Sequence, residues 1–383
     1  MGNEVKQSIR RGTYAILAAS TALVLAACGS SASSGDSGGS DSTAGGGESA
    51  ASGDLSGNLA GAGASSQAKA QEGWVAGFTE ANPDVTVTYD PVGSGGGREQ
   101  FLAGGTLFAG TDSNFNDDEL ASGTERCAGG EVVELPVYIS PIAVVYNLPD
   151  AGVEHIQLDA DTLAKVFSGA ITTWDDAAIA ALNPDATLPA TKITVVNRSD
   201  DSGTTKNFTD YLGQTAPDVW TYEADDAWPI ASVQSGDGTS GMIATVGAAV
   251  GAIGYADASQ AGDLGTVAVQ VGEDFVGPDA DAAAKGLDAS PLTDDATDLR
   301  ITYKIDRTTT EAGAYPLILV SYLAGCSTYD SASDAANVAA YFTYVTSEEG
   351  QARAAEPSVA GSAPISDDLR TKIDAAIAQI KGA

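Results

Sequence analysis

The sequence predicts an α/β fold, in which strands and helices alternate along the chain. Five short runs are rich in β-branched or continuously apolar residues, which is typical of strands; they span 85–89, 141–146, 192–197, 249–255 and 315–322. Helical stretches precede, separate or follow these runs, at 67–78, 98–103, 159–167, 175–182 and 206–212. This alternation indicates an α/β body that contains both kinds of element.

The last predicted helix is the clearest. Ser366 can cap its start, and Asp367 and Asp368 suit a first turn, where the helix dipole favours negative charge. Its apolar face carries Leu369, Ile373, Ile377 and Ile380. We therefore predict an amphipathic helix near the C-terminus.

The charge of the chain excludes two classes of partner. The sequence has 18 Lys and Arg against 52 Asp and Glu, which gives a formal net charge of −34. A nucleic acid requires a cationic face that displaces counterions, so we predict no nucleic-acid partner. An anionic membrane surface would repel the chain as well, so any membrane attachment has to come from an anchor.

Few residues are available for metal binding or His-based catalysis. The chain contains three Cys and one His, His155, which lies in a Gly-Val-Glu-His segment that we interpret as a surface loop. Neither the H-E-x-x-H pattern nor the EF-hand loop occurs in the sequence. We predict no catalytic residue, no metal and no cofactor.

The N-terminus has the pattern of an export signal. Three basic residues precede a short apolar run at 15–27, too short for a comfortable membrane span. Small residues then precede Cys28, which resembles a bacterial lipobox. We predict a signal peptide at 1–27 and lipidation of Cys28, with palmitate as an acyl group. The alternative is an ordinary signal followed by an incidental Cys.

A tether is predicted between the lipid and the folded body. Residues 28–53 are almost only Gly, Ser, Ala, Thr and acids, which cannot bury enough apolar surface to fold. A Gly/Ser coil of about 25 residues reaches roughly 25–30 Å. The body then begins at Asp54, and the chain would lie on the extracytoplasmic face of the cell membrane, held by the lipid alone.

The two remaining cysteines are candidates for a disulfide. Cys127 and Cys326 form an even pair in an exported protein, where the compartment is oxidising. The alternative is two separate buried thiols.

Three loops rich in Gly and Ser precede predicted helices. They span 61–66, 93–97 and 197–205, and a predicted strand precedes the second and third but not the first. A helix start offers unpaired N–H groups and a partial positive charge, and Gly lets a ligand approach the backbone closely. Each loop alone could be a turn, but the set indicates an anion site. None of these three loops has the nucleotide P-loop or the G-x-G-x-x-G pattern.

Seven segments carry a resemblance to a known family. In chain order they are GAGASS at 61–66, YDPVGSGGG at 89–97, FAGTD at 108–112, FSGAITTWDD at 167–176, LNP at 182–184, RSDDSGTT at 198–205 and GAIGY at 251–255. This ordered set resembles the phosphate-binding proteins (PstS type) of bacterial ABC phosphate importers. The resemblance covers essentially everything after the tether.

The resemblance implies a two-lobed periplasmic-binding-protein-like α/β fold (class II), with a ligand cleft between lobes that close by a hinge. The first part of lobe 1 would span 54–139, lobe 2 would span 140–311, and the second part of lobe 1 would span 312–383. Cys127 and Cys326 would then both lie in lobe 1, consistent with a disulfide inside one lobe.

The resemblance also implies a set of phosphate-binding residues. These are Ser65, Ser66, Ser94, Asp112, Arg198, Ser202, Gly203 and Thr204. Arg198 would supply the charged contact, with Asp200 behind it as its partner. Asp112 would accept a hydrogen bond only from a protonated anion, which favours phosphate over sulfate. Family members often have Thr-Phe where this chain has Ser65-Ser66, so contacts in that loop can differ.

The implied function is capture of inorganic phosphate and its delivery to the permease and ATPase of an ABC importer, by a monomer. Two alternatives stay open: a surface protein or adhesin, and a binding protein for another tetrahedral oxyanion such as sulfate or molybdate. A secreted phosphatase is disfavoured, because phosphate-ester chemistry usually requires a metal pair or an activated nucleophile.

Overall fold

The computed structural model describes residues 55–383. The predicted signal peptide at 1–27, the predicted lipidation of Cys28 and the tether at 28–53 lie outside the described residues, as does Asp54. Between residues 55 and 383, no helix is long and apolar enough to cross a membrane.

Strands and helices alternate throughout the described chain. The first half contains β1 (Gly57–Gly63), α1 (Ala68–Ala81), β2 (Val85–Asp90), α2 (Ser94–Leu102), β3 (Phe108–Thr111), α3 (Asp117–Arg126), β4 (Val132–Tyr146), β5 (His155–Leu158), α4 (Ala160–Phe167) and α5 (Ala177–Leu182). The middle contains β6 (Thr194–Arg198), α6 (Gly203–Thr215), β7 (Gln234–Gly236), α7 (Gly238–Gly247), β8 (Ala252–Asp257), β9 (Gly265–Val271), β10 (Asp274–Val276) and α8 (Ala280–Asp288). The last part contains β11 (Ile318–Cys326), β12 (Thr328–Tyr329), α9 (Ala332–Thr346), α10 (Glu348–Ala355), α11 (Asp367–Ile377) and β13 (Lys381–Gly382). The predicted α/β class is confirmed.

One strand connects the two halves of the main sheet. The strand order is β2-β1-β3-β11-β4-β8-β6-β7, and β9 pairs with β4, β5 and β10 beside this path. β4 pairs with β11 from Val132 to Pro141 and with β8 from Ile142 to Tyr146. Its partner therefore changes at Pro141–Ile142, next to Ser140, where the sequence predicts the first crossing between lobes. The bounds of the lobes stay a prediction; Leu299 and Ile301, assigned to lobe 2, share backbone hydrogen bonds with Glu134 of lobe 1.

The core lies along β4 and β11. All fifteen residues of β4 and all nine of β11 are buried. These apolar runs are covered on both faces, as in the central strands of an α/β sheet. Each fully buried Val, Leu or Ile side chain contributes about 1.5–3 kcal/mol relative to an exposed one, which makes these two strands the main source of apolar burial around the connection.

The C-terminal helix follows the prediction except at its end. Ser366 Oγ accepts a hydrogen bond from the backbone N–H of Leu369 at 3.3 Å, and Asp367 and Asp368 occupy the first turn. Helix α11 ends at Ile377, so Ile380 does not belong to its apolar face. Ile380 instead packs against the core just before β13, which pairs with β12.

The first Gly/Ser loop does follow a strand, so the sequence interpretation was wrong there. β1 has the sequence GNLAGAG, five of whose seven residues are Gly or Ala, and pairs in parallel with β2 and β3. A Cβ on Gly61 would lie 2.1 Å from the Phe108 ring, and Gly63 has a φ of +147°. Packing and backbone geometry thus require the glycines that made this strand look like a loop.

His155 is not a loop residue as predicted. It is the first residue of β5, and its Nδ1 lies 2.7 Å from Thr266 Oγ1 on the neighbouring strand β9. The ring also packs against Gly277, where a Cβ would lie 2.6 Å from Nε2. These contacts hold the half-buried ring against the neighbouring segments.

The predicted disulfide between Cys127 and Cys326 is present. It joins the end of α3 to the end of β11 across 199 residues, and both cysteines are fully buried. Closing a loop of this length is worth roughly 5 kcal/mol in the chain-entropy treatment of the unfolded state.

Candidate functional site

The three predicted loops meet at one place in the structure. Ser65, after β1, has its Oγ 2.9 Å from Nη2 of Arg198, which donates to it from the end of β6. Thr204, in the first turn of α6, donates from Oγ1 to Asp112 Oδ2 at 3.0 Å. Ser94, at the start of α2, accepts from the backbone N–H of Asp112 at 3.1 Å. Segments far apart in sequence thus form one buried polar cluster.

Arg198 is paired with Asp200 as predicted. Its Nε donates to Asp200 Oδ1 at 2.7 Å, and its Nη2 donates to Asp200 Oδ2, which gives a two-pronged contact. Gly238 N–H donates to the same Oδ1 at 3.0 Å. Burial alone would raise the pKa of the Asp200 carboxyl, but the hydrogen bonds and charge of Arg198 outweigh burial and lower it. The pair fixes the guanidinium in a defined orientation.

Asp112 is buried at the end of β3 and accepts several hydrogen bonds. Ser66 Oγ donates to its two oxygens at 2.7 and 2.9 Å, and Ser321 Oγ donates to Oδ1 at 2.5 Å. Burial raises the pKa of this carboxyl, while the hydrogen bonds from Ser321, Ser66 and Thr204 and the charge of Arg198 lower it in part. The site therefore combines a hydroxyl-bonded carboxyl group with a nearby guanidinium.

Three helices of eight or more residues begin at this cluster. They are α2 at Ser94, α6 at Gly203 and α7 at Gly238. A Cβ on Gly203 would lie 2.7 Å from both Asp112 Cβ and Ser94 Oγ, so only glycine fits this close approach. First-turn N–H groups lack partners within their helix. Here four of them donate to other residues of the cluster, those of Gly95, Thr205, Gly238 and Thr239. The positive ends of three helix dipoles still meet at one place, which suits an anion.

Ser202 is the N-cap of α6. Its Oγ accepts from the backbone N–H of Thr205 at 3.2 Å, and its own N–H donates to the Asp226 carbonyl at 2.9 Å. The oxygen is thus occupied by the cap, while the hydroxyl hydrogen remains available for another acceptor. Seven of the eight predicted binding residues contact one another directly or through van der Waals packing: Ser65, Ser66, Ser94, Asp112, Arg198, Gly203 and Thr204. The eighth, Ser202, caps the helix that carries Gly203 and Thr204.

Sequence reasoning missed two hydroxyl residues of the cluster. Thr239, in the first turn of α7, donates from its N–H to Ser65 Oγ at 3.0 Å. Its loop, SGDGTSG at 235–241, has the same Gly/Ser composition and strand-to-helix position as the three loops that were recognised. Ser321 lies within β11, and the available signal was one hydroxyl inside an otherwise apolar run.

An ion pair beside the cluster was also missed. Arg98 of α2 donates from Nη2 to Asp226 Oδ2 at 2.7 Å, and from Nε to Glu119 Oε1 at 2.9 Å. Asp226 belongs to the segment between α6 and β7, whereas Arg98 lies on the side of β1 and β3. Gly95 N–H donates to the Asp201 carbonyl at 3.1 Å close by, so the two sides are joined by several polar contacts.

A cavity of about 270 Å³ adjoins Asp112. Its lining includes the cationic residues Lys206, Lys304 and Arg307. Arg307 is paired with Asp210 at 3.0 Å. The carboxylates of Asp112 and Asp210 also line the cavity, so its charge is more balanced than that of the strongly acidic chain as a whole.

Comparison with known proteins identifies relatives along nearly the whole chain. The family model described as the PBP superfamily domain matches residues 48–349. The chain is 33% identical over 374 residues to phosphate-binding protein PstS 3 of Mycobacterium tuberculosis, covering 96% of this chain and 98% of the relative. It is 32% identical over 376 residues to PstS 2 of the same organism, with the same coverage.

Solved structures share the fold. A periplasmic phosphate-binding protein, PfluDING, bound with phosphate, superposes with a TM-score of 0.65 at 20% identity, covering 83% of this chain and 93% of that one. The phosphate-binding protein of Stenotrophomonas maltophilia superposes with a TM-score of 0.66 at 20% identity, covering 84% and 94%. The predicted two-lobed α/β fold of the periplasmic-binding-protein class is therefore confirmed.

Proposed function

The chain belongs to the PstS-type phosphate-binding proteins of the PBP superfamily, and from this premise we propose how its own residues carry out that family's work. It captures inorganic phosphate as the solute-binding protein of an ABC importer. The observation that carries this function in the structure is the convergence of three helix starts on Arg198 and Asp112.

The binding residues proposed from the sequence divide by what they offer the ligand. Backbone N–H groups and hydroxyls that donate to phosphate oxygens come from Ser65, Ser66, Ser94, Ser202, Gly203 and Thr204. Arg198 supplies the charged donor, and Asp200 orients it. Support comes from the placement of these residues around one point and from the contact between Arg198 and Asp200. Charge-assisted hydrogen bonds of this kind contribute about 1.5–3 kcal/mol each.

Asp112 gives the site its preference for phosphate. A carboxylate accepts a hydrogen bond from the P–OH group that phosphate carries near neutral pH, whereas sulfate has no such proton. An unprotonated anion would face the buried carboxylate without a hydrogen between them, which is costly. The burial of Asp112 beside Thr204 and Ser66 supports this role.

An acidic chain is compatible with this function. Polyanions are repelled by the broad negative surface, but a small anion interacts mainly with the N–H groups and the guanidinium within a few ångströms. Surface carboxylates beyond a Debye length of about 8 Å are largely screened at physiological salt.

Export and anchoring complete the proposal. The signal peptide at 1–27 directs secretion, and Cys28 carries the lipid, palmitate included. The tether at 28–53 lets the body reach the permease and ATPase complex from the extracytoplasmic face. The lobes, 54–139 with 312–383 and 140–311, close around phosphate, and the protein acts as a monomer without catalysing a reaction. The export-signal and lipobox-like pattern at the N-terminus and the family of the chain support these steps.

Isothermal titration of the purified protein with phosphate, arsenate and sulfate tests the function. We expect one site that binds phosphate, binds arsenate because it is also protonated and tetrahedral, and discriminates against sulfate. Equal affinity for sulfate and phosphate would favour a general oxyanion-binding protein. Hydrolysis of a chromogenic phosphate ester would instead indicate an enzyme.

A further inference from the structure

A chain of buried side chains leads from the core to Asp112. Tyr341 Oη donates to Gln71 Oε1 at 2.7 Å, and Gln71 Nε2 donates to Gln67 Oε1 at 2.8 Å. Gln67 Nε2 donates to Ser321 Oγ at 2.6 Å, and Ser321 Oγ donates to Asp112 Oδ1. All five residues are at most 5% exposed, so water does not compete for these bonds. We call this series the Ser321 relay.

The direction of the relay follows from groups that have only one possible role. Gln67 Nε2 also lies 3.0 Å from the backbone carbonyl of Tyr322, and a carbonyl can only accept. The amide nitrogen of Gln67 must therefore face Tyr322 and Ser321, which leaves its oxygen to accept from Gln71. Gln71 then presents its own oxygen to Tyr341. Burial raises the pKa of the Tyr341 hydroxyl, so this group remains a donor.

Ser321 therefore receives a hydrogen bond from Gln67 and has its own hydrogen free to donate. Two acceptors are in reach: Asp112 Oδ1 at 2.5 Å and the Thr111 carbonyl at 3.3 Å. The carboxylate is closer and carries more negative charge, so it takes the hydrogen. A hydroxyl that donates stabilises the ionised form of Asp112 rather than the neutral one.

Ser321 differs from the other two hydroxyls on Asp112. Ser66 and Thr204 are both proposed ligands of phosphate, so they have to share their hydrogens with it. Ser321 has no such competing assignment. It lies on β11, next to β3, which ends at Thr111 just before Asp112. Because Gln67, Gln71, Ser321 and Tyr341 all lie in the predicted lobe 1 with Asp112, the relay does not depend on contacts from lobe 2.

We propose that Ser321, oriented by Gln67, is a positioning residue that holds Oδ1 of Asp112, so that Oδ2 accepts the proton of the bound phosphate once Ser66 and Thr204 turn their hydroxyls from Oδ2 to the anion. This inference rests on the proposed function, because it assigns the specificity of the same site. The relay keeps the Asp112 carboxylate ionised and in a fixed orientation before the lobes close, so that it can accept a hydrogen bond from the ligand. Discrimination against sulfate thus depends on residues that do not touch the anion.

The test compares the affinities of Ser321→Ala for phosphate and sulfate with those of the original protein. Losing one hydrogen bond to the carboxylate should reduce the preference for phosphate by roughly tenfold, mainly through weaker phosphate binding. Ser321→Thr keeps the hydroxyl and should restore the preference. Ser290→Ala is the matched control, since Ser290 is a buried hydroxyl bonded to Gly286 and Asp306 in another part of the structure.

A second variant distinguishes loss of the relay from a folding defect in Ser321→Ala. Gln67→Met removes the amide that orients Ser321 but keeps an unbranched side chain, and it should shift the preference in the same direction. A loss of affinity shared equally by both anions, or an unchanged preference in Ser321→Ala and Gln67→Met, overturns the relay. If the original protein fails to bind phosphate at all, the proposed function fails instead, so the two failures are distinguishable.

Discussion

The ion pair between Arg98 and Asp226 is expected to hold the closed form of the protein. Arg98 lies in the predicted lobe 1 and Asp226 in the predicted lobe 2, and their side chains are 7% and 13% exposed at an N–O distance of 2.7 Å. The substitution Asp226→Asn tests this pair, because it removes the negative charge of the side chain and keeps its size. Asp226 Oδ1 has no hydrogen-bond partner among residues 55–383, so the new amide group disturbs no existing bond there.

The magnitude follows from the contacts that remain. Arg98 keeps Glu119 at 2.9 Å, Thr111 at 3.0 Å and Ser113 at 2.6 Å, so its charge is not left unpaired. The change then replaces a charge-assisted hydrogen bond by a neutral one, which costs about 1–1.5 kcal/mol. If the pair forms only when the lobes close, the whole cost falls on the closed form, and phosphate should leave about 5- to 13-fold faster.

The assay measures the dissociation rate of labelled phosphate in a chase with unlabelled phosphate, and the affinity by calorimetry. The association rate should change little, because the pair forms after encounter. Asp295→Asn is the control, since that carboxylate pairs with Arg300 at 3.1 Å but is 61% exposed. A dissociation rate equal to that of the control, or a change confined to the association rate, would refute the role of this pair in closure.

Three further substitutions have defined outcomes. Asp112→Asn should narrow the preference for phosphate over sulfate by about ten- to a hundredfold, because the charge-assisted acceptor is lost; competition calorimetry measures it, and unchanged selectivity would rule out the role of Asp112. Arg198→Ala should weaken phosphate binding by about 3 kcal/mol, roughly a hundredfold in Kd; near-native affinity in a folded variant would place the site elsewhere. Replacing Cys127 and Cys326 together by Ala should lower the free energy of unfolding by about 2–5 kcal/mol in urea titration, with phosphate affinity retained; an unchanged midpoint would show that the disulfide adds no stability.

Local sequence patterns predicted those parts of the fold that depend on neighbouring residues. The cap at Ser366 and the strand predicted at 85–89 rest on side chains within a few positions, and both are present, the strand as Val85–Asp90. β1 was missed because its glycines suggest a loop. Position 61 requires glycine because the ring of Phe108 packs against it. Phe108 lies 47 positions away in the sequence, so a local pattern does not reveal this contact.

The site residues could also be predicted where the signal lies in neighbouring residues, and not where it lies in a contact between distant segments. Each Gly/Ser loop marked a helix start, so the donors of Ser94, Gly203 and Thr204 were recognisable before the structure. Ser321 reaches Asp112 across 209 positions, and it could be recognised only once β11 and β3 were known to be neighbours. Asp226 was hidden for a similar reason, since its partner Arg98 precedes it by 128 positions.

The most direct measurement is a calorimetric titration of the purified protein with phosphate, repeated in the presence of excess sulfate. The convergence of helix starts on Arg198 and Asp112 predicts a single site whose phosphate isotherm is barely changed by sulfate. An absence of phosphate binding, or competition by sulfate at comparable concentration, would contradict the central claim.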